Sequence, residues 1–342
     1  LDTARSKRWY SVASYETTGT KINMKIHFVH AMDENNPGDW WSTPKHYFPK
    51  FKNATVSHVK NFDQDIGKID VLVYGGGDLL SSANNKYRKW LEKTITEYQP
   101  RKLVGWGLGL SPEYFKMEGN QLLKNFDYLG CRLPVLDPNF FHKMHIKEMD
   151  NYEYVPCASC LHPVFDDNNE EIRHDIGILH HKNWPINNRW IRGALGDSSY
   201  QQIFNSPNNI ENMVDFIKKS DRIITSSYHG AYWSMLLGKK TLVVKQPLHV
   251  MPPEVQDTRF KMFNIHKDQN QIYRELELNR FRKYKIPASW KFSSRTLGFA
   301  DNKVKRFLHS INNWEYAVQD KNFLTECREK SKNFYSKVFE DD

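Results

Sequence analysis

A histidine followed at once by glycine, His229-Gly230, lies inside Arg222-Ile-Ile-Thr-Ser-Ser-Tyr-His-Gly-Ala-Tyr-Trp-Ser-Met-Leu-Leu-Gly238. The run reads as a strand, a polar elbow, an apolar helix and a glycine stop. An imidazole titrates near neutral pH, so at such an elbow it suits proton transfer or contact with a phosphate. A helix-capping or core histidine is the plainer alternative. Where a parallel strand ends, helix N-termini and loop donors converge on ligands. Ser226, Ser227 and Gly230 share the elbow and belong with the candidate donor-binding groups, together with Lys245 at the end of the following strand.

Other segments carry chemistry of the same kind. Asn35-Asn-Pro-Gly-Asp-Trp-Trp-Ser-Thr-Pro44 makes a tight Pro-Gly turn, and its Asp39 either accepts a proton from a hydroxyl or caps the helix that follows. Gly75-Gly-Gly-Asp-Leu-Leu80 follows an apolar strand. Amides of Gly75, Gly76 and Gly77 would cradle an oxyanion there, unless the glycines only make a strand-to-helix turn. Gly105-Trp-Gly-Leu-Gly109 is a further glycine-rich strand end, and three such ends of one sheet suggest a shared cleft. Arg132 closes the run Leu129-Gly-Cys-Arg132, where a guanidinium is well placed for a bidentate carboxylate or phosphate. Trp40, Trp41 and Trp106 either stack on a sugar ring or pack in core and hinge. His180-His181 either lines the cleft or lies on the surface. Cys157-Ala-Ser-Cys160 has dithiol spacing but no second ligand pair, and reads as a structured loop at a domain boundary. His142, His145 and Glu148 drift around a helix, so a metal is not expected there.

Apolar strand-like runs at 24–31, 54–59, 69–74, 103–106, 128–131 and 152–155 alternate with helical stretches near 40–50, 84–98, 117–125 and 138–149. A second series has strands at 175–179, 222–225 and 241–244, and helices at 208–219, 230–237, 268–276 and 301–313. Such alternation predicts an α/β fold with parallel sheets covered on both faces. The polar stretch from Pro163 to His174 separates the series. Expected units are therefore a leader at 1–23, a first Rossmann-like doubly wound domain at 24–165, a second at 175–320 facing it across a cleft, and a helix at 321–342.

A chain of 342 residues suits two domains, and 39% hydrophobic residues suffice for buried cores. The net charge of +9 favours an anionic ligand or surface. Basic residues are dispersed and nucleic-acid signatures are absent, so no nucleic-acid partner is expected. No apolar run approaches the length of a membrane span. The polar, basic residues 1–23 read either as the stem that follows an anchor or as an unrelated leader. A cytoplasmic address, at the membrane face through peripheral association, is the expectation in the second case, and the Golgi lumen in the first.

Taken in order, Asn36-Pro-Gly-Asp39, Gly75–Gly77 with Leu79-Leu80, Arg132, and Ser226-Ser-Tyr-His-Gly230 resemble the polysaccharide pyruvyl transferase family. The likeness covers roughly residues 24–245. It implies two Rossmann-like domains similar to the GT-B glycosyltransferase architecture. It also implies transfer of pyruvate from phosphoenolpyruvate to a glycan or polysaccharide as a cyclic ketal, with no cofactor beyond that donor substrate. His229, Asp39 and Arg132 are then the catalytic candidates. One position departs from the family pattern: Ser227 stands where the family places an arginine, so Arg132, Lys245, Arg189 or Arg192 must meet the donor instead. Two other readings compete, a GT-B-type glycosyltransferase using a nucleotide sugar and a non-catalytic glycan-binding protein.

Overall fold

A computed structural model describes residues 24–60, 66–80, 85–110, 122–132, 151–167, 171–182, 200–243 and 322–340, with Ile186, Ile191 and Leu195. They form two parallel sheets. The first contains β1 (Ile26–His30), β2 (Thr55–His58), β3 (Val71–Leu80), β4 (Lys102–Leu110), β5 (Tyr128–Cys131) and β6 (Tyr152–Tyr154), in the order β2-β1-β3-β4-β5-β6. The second contains β7 (His174–His180), β8 (Tyr200–Phe204), β9 (Ser220–Thr225) and β10 (Lys240–Val243), in the order β10-β9-β7-β8. Around them lie α1 (Pro37–Trp40), α2 (Asn85–Tyr98), α3 (Ile210–Lys218), α4 (Tyr228–Leu236) and α5 (Phe323–Phe339). The α/β class with parallel sheets is as the alternation of runs requires. No described helix is long and apolar enough to cross a membrane.

Both sheets begin alike. The first strand of each pairs with the second on one side and the third on the other, β1 between β2 and β3, β7 between β8 and β9. Such a reversal of strand order opens a crevice at the carboxyl ends of the strands. β1 is buried along its whole length, including the polar His27, whose ring nitrogens lie 2.7 Å from Thr55 Oγ1 and 3.0 Å from Ser57 Oγ. Those hydroxyls offset the desolvation of the ring, and burial pushes its pKa down to about 4.

The helices follow their sequence. In α3, Ile210, Met213, Val214 and Ile217 recur at helical spacing and are buried, and the Asn209 side chain accepts from the Asn212 amide. The residues from His229 to Leu236 in α4 are all buried, as befits a helix apolar on every side. Helix α5 crosses both units. Its Phe334 packs edge-on to Trp106 at 4.9 Å and Lys102 Nζ donates to the Val338 carbonyl at 2.9 Å, while Arg328 Nε donates to the Cys160 carbonyl at 2.8 Å.

Four details differ from the expectations. β3 and β4 do not stop at Tyr74 and Trp106 but run on through their glycines, with Gly75 paired to Trp106 and Gly77 to Leu108. The glycines are therefore strand, not turn. Residues 40–50 are not one helix, because Pro44 and Pro49 each start a separate single 3₁₀ turn. β8 was not anticipated, since Tyr200-Gln-Gln-Ile-Phe204 is a polar, half-exposed edge strand. Cys157, Cys160 and Phe165, assigned by sequence to the first domain, pack into the core beneath the second sheet. The helical candidates at 138–149, 268–276 and 301–313 lie outside the described residues.

Candidate functional site

The carboxyl ends of the two sheets meet. Asp33, Asn36 and Gly38, beyond β1, and Arg132, beyond β5, touch Lys182, Asn205, Tyr228 and His229, beyond β7, β8 and β9. Lys182 Nζ pairs with Asp33 Oδ2, and Asn205 Nδ2 donates to Asn36 Oδ1 at 3.3 Å. Gly38 rests on the ring of His229, so closely that a Cβ there would lie 2.1 Å from Nδ1. Only glycine fits.

Arg132 and His229 form the centre. Arg132 is 4% exposed, and its guanidinium lies 3.8 Å from the centroid of the Tyr228 ring, a cation–π contact across the two sheets. His229 is 6% exposed, with Nε2 3.6 Å from Cys157 Sγ and Trp233 at 5.6 Å ring to ring. The imidazole is enclosed by the Gly38 loop, as the core alternative for His229 has it. Burial, then the positive charge of Arg132, then His181, hold its pKa well below the ordinary histidine value. It is neutral at physiological pH.

The elbow around His229 is built from internal bonds. Ser227 caps α4, its hydroxyl accepting from the Gly230 amide at 3.4 Å, and its own amide donates to Thr225 Oγ1 at 3.0 Å. Ser226 Oγ accepts from the His181 amide at 3.0 Å. A Cβ on Gly230 would lie 2.5 Å from Thr225 Oγ1 and 2.8 Å from Leu179, so this glycine serves the packing of α4 on β7 and β9. Ser226, Ser227 and Gly230 accordingly shape the elbow. The serine at the family's arginine position is a helix cap, which an arginine side chain has no oxygen to provide.

Across from the elbow, the glycines of β3 divide. A Cβ on Gly75 would lie 2.1 Å from the Trp106 carbonyl oxygen, and one on Gly76 would lie 2.6 Å from Ser42 Oγ, so both are packed against protein. Gly77 has φ of +106°, and a Cβ there would meet nothing nearer than Ala31 at 3.6 Å, with Asp39 Oδ1 at 3.9 Å. Of the three cradle candidates, Gly77 alone would meet its neighbours only at ordinary contact distance, a carboxylate among them. Asp39 does not cap a following helix. It lies within the short α1, its Oδ2 accepting from Asn36 Nδ2 at 2.7 Å and its carbonyl from Ser42 Oγ at 2.6 Å.

The tryptophans separate as well. Trp106 is fully buried between Phe48, Phe334 and Phe339 and is core, not a sugar platform. Trp41 packs edge-on to His162 at 4.6 Å and joins the two units. Trp40 is half-buried, beside His46 at 5.8 Å. Cys157 and Cys160 are free, buried thiols in a single 3₁₀ turn, and burial pushes Cys160 up to about 12. Among the described residues no group of three or more His, Cys, Asp or Glu could hold a metal ion. His142, His145, Glu148, Arg189, Arg192 and Lys245 lie outside the described residues.

Tyr228, Lys182 and Asn205 were missed by sequence reasoning. Lys182 had a signal, since it follows the His180-His181 pair at a strand end. Asn205 had none, because its partner Asn36 is 169 residues away in the chain. His30, at the end of β1, is also enclosed. Its Nδ1 has no hydrogen-bond partner among the described residues, and burial with the charge of His46 lowers its pKa to about 3.

Residues 23–246 match the family model described as polysaccharide pyruvyl transferase. A search among curated proteins finds no match. Solved structures with some likeness include an uncharacterised protein of Klebsiella pneumoniae, at 11% identity, TM-score 0.42, covering 70% of this chain and 88% of that one. A putative UDP-N-acetylglucosamine 2-epimerase from Listeria monocytogenes has 10% identity and a TM-score of 0.46 over 93% of this chain and 97% of its own. The UDP-GlcNAc 2-epimerase of Neisseria meningitidis, solved with UDP-GlcNAc, has 10% identity and a TM-score of 0.43 over 91% and 100%.

Proposed function

The chain belongs to the polysaccharide pyruvyl transferase family and is a transferase, and from that premise we propose that it moves pyruvate from phosphoenolpyruvate to two hydroxyls of a glycan sugar, forming a cyclic ketal. The observation that carries the reading is a buried arginine beside a neutral, buried histidine, held where the strand ends of both sheets meet.

The chemistry requires a cation for the donor, an acid for its methylene carbon and a base for the acceptor. Protonation of that carbon gives an oxocarbenium-like centre at C2. One sugar hydroxyl attacks it, phosphate leaves, and the second hydroxyl closes the ring. Of the two hydroxyl protons, one ends on the new methyl group and the other on phosphate. No electrons change hands and no metal is needed for the balance.

Arg132 is suited to the donor's phosphate or carboxylate, because charge-assisted bonds from a guanidinium are strong and directional. His229 is the acid. An anion on Arg132 cancels one cause of its lowered pKa and supplies an opposite charge, so donor binding raises the proton affinity of the imidazole. Asp39, half-buried beside Gly77, takes the hydroxyl proton. Lys182, on the rim, adds positive charge from the second sheet, and Lys245 remains a further candidate. Trp40 and Trp41 are the half-buried tryptophans of the three, and Trp40, which does not join the two units, is the candidate for an acceptor ring. A cytoplasmic address at the membrane face completes the proposal.

The test is release of inorganic phosphate from phosphoenolpyruvate in the presence of galactosides, glucosides and mannosides, with mass spectrometry of the sugar. A ketal-bearing product is expected. Absence of phosphate release with every sugar, together with turnover of a nucleotide sugar, would overturn the donor assignment.

A further inference from the structure

Three hydrogen bonds connect the end of β7 to the Asp39 carboxylate. The Lys182 amide donates to Asn205 Oδ1 at 2.6 Å, Asn205 Nδ2 donates to Asn36 Oδ1 at 3.3 Å, and Asn36 Nδ2 donates to Asp39 Oδ2 at 2.7 Å. Asn205 and Asn36 are 2% and 5% exposed, so water does not substitute for a lost partner. The polarity of the chain is dictated from its start. A backbone N–H only donates, which turns the Asn205 oxygen toward Lys182 and its NH₂ toward Asn36. Asn36 must then offer its oxygen to Asn205 and its NH₂ to Asp39. The chain ends where the Asp39 carboxyl oxygen accepts from that NH₂.

We propose that Asn205 is a positioning residue, fixing the direction and ionisation of the Asp39 carboxylate through Asn36. The inference rests on the reading of Asp39 as the proton acceptor. A donor held on Oδ2 favours the charged form of the acid and keeps Oδ1 on the Gly77 side. Because Asn205 follows β8 and Asp39 lies beyond β1, the base is set only where the two sheets are in contact. Adhesion of the sheets does not depend on this chain, since Lys182 and Asp33 span the same gap.

The test uses two substitutions, Asn205→Asp and Asn205→Ala, and two readouts. Asn205→Asp keeps the shape and still accepts from the Lys182 amide, but has no N–H for Asn36. The Asn36 amide then turns its oxygen toward Asp39, and a second carboxylate stands nearby. Carbon NMR of the Asp39 carboxyl, assigned by comparison with Asp39→Asn, should show its pKa raised by about one unit or more in Asn205→Asp and by less in Asn205→Ala. The acid limb of the kcat/KM profile should move to higher pH by the same amount, with the phosphoenolpyruvate KM unchanged. Asn205→Ala carries the test should Asn205→Asp fail to fold. An Asp39 titration identical to wild type in the folded variants overturns the positioning role. A titration that moves while the acid limb stays in place upholds the positioning and removes Asp39 as the base.

Discussion

The two switch points of this molecule have the same topology and opposite construction. At the first, between β1 and β3, the chain places a four-residue helix, a half-buried aspartate and Gly77 at φ +106°, with Asp39 Oδ1 beside the glycine. At the second, between β7 and β9, each elbow hydroxyl bonds a backbone amide, Ser227 that of Gly230 and Ser226 that of His181, and the histidine is walled in. Arg132 comes from the first sheet but lies against the first residue of α4. The difference teaches that the site is one site only in the assembled molecule. One half carries a half-buried carboxylate, the other an enclosed imidazole, and an arginine and a glycine join them.

Removing the arginine should break the comparison most severely. Arg132→Ala should weaken phosphoenolpyruvate binding by tens-fold to over a hundred-fold, about 2–3 kcal/mol for a lost charge-assisted contact, with the acceptor constant nearly unchanged. Arg132→Lys should rescue little, since an ammonium neither stacks on Tyr228 in the same way nor offers a fork. Titration calorimetry with each substrate separates the two constants. A rise confined to the acceptor constant would move Arg132 to the sugar side.

Gly38→Ala tests the seal over His229. Its Cβ would lie 2.1 Å from Nδ1, so the loop must lift, at a cost of about 1–3 kcal/mol for overpacking. Thermal unfolding should show a lower Tm, and the penalty should shrink in a His229→Ala background, where the ring is gone. Equal penalties in both backgrounds would mean that the loop does not rest on His229 in solution.

Acid should loosen the joint. Burial lowers the pKa of His229 well below its ordinary value, His30 to about 3 and His27 to about 4. In the unfolded chain these rings take up protons near the model value of 6.5, whereas the folded chain keeps them neutral. The unfolded state therefore binds more protons, and stability falls as pH drops below about 6.5 and continues falling toward about 4 and 3. Urea midpoints measured from pH 7.5 to 4.5 should decline, and His30→Gln should flatten the decline. A flat midpoint over that range would contradict the burial of these rings.

The smallest effect expected is at Ser227. Ser227→Ala should cost about 1 kcal/mol through the lost cap, read as a small fall in Tm. Ser227→Arg, which the family pattern invites, should do no better, because a buried cap at 2% exposure has no space for a guanidinium. An arginine variant with tighter phosphoenolpyruvate binding and unchanged Tm would show that the elbow has room for a guanidinium.

Apart from the polar edge strand β8, the strands that hold the site were legible because each is an apolar run between polar stretches, and Arg132 and His229 stood out as candidates because strand ends are where chemistry gathers. What escaped notice did so for physical reasons. Gly75 and Gly76 look like a phosphate cradle in sequence, yet a glycine needed for a neighbouring backbone is indistinguishable from one needed for a ligand. The enclosure of His229 was not legible because the glycine that covers it, Gly38, precedes it by almost two hundred residues. Asn205 matters only through a contact between two sheets, and no local pattern encodes that.

The central claim is that an anionic donor seated on Arg132 protonates His229. Calorimetric titration of phosphoenolpyruvate into the protein at pH 7, repeated in buffers of different ionisation enthalpy, measures the protons taken up per donor bound. The account predicts binding with net proton uptake in the wild type, and binding without that uptake in His229→Ala. No binding of phosphoenolpyruvate, or the same uptake with and without the imidazole, would contradict it.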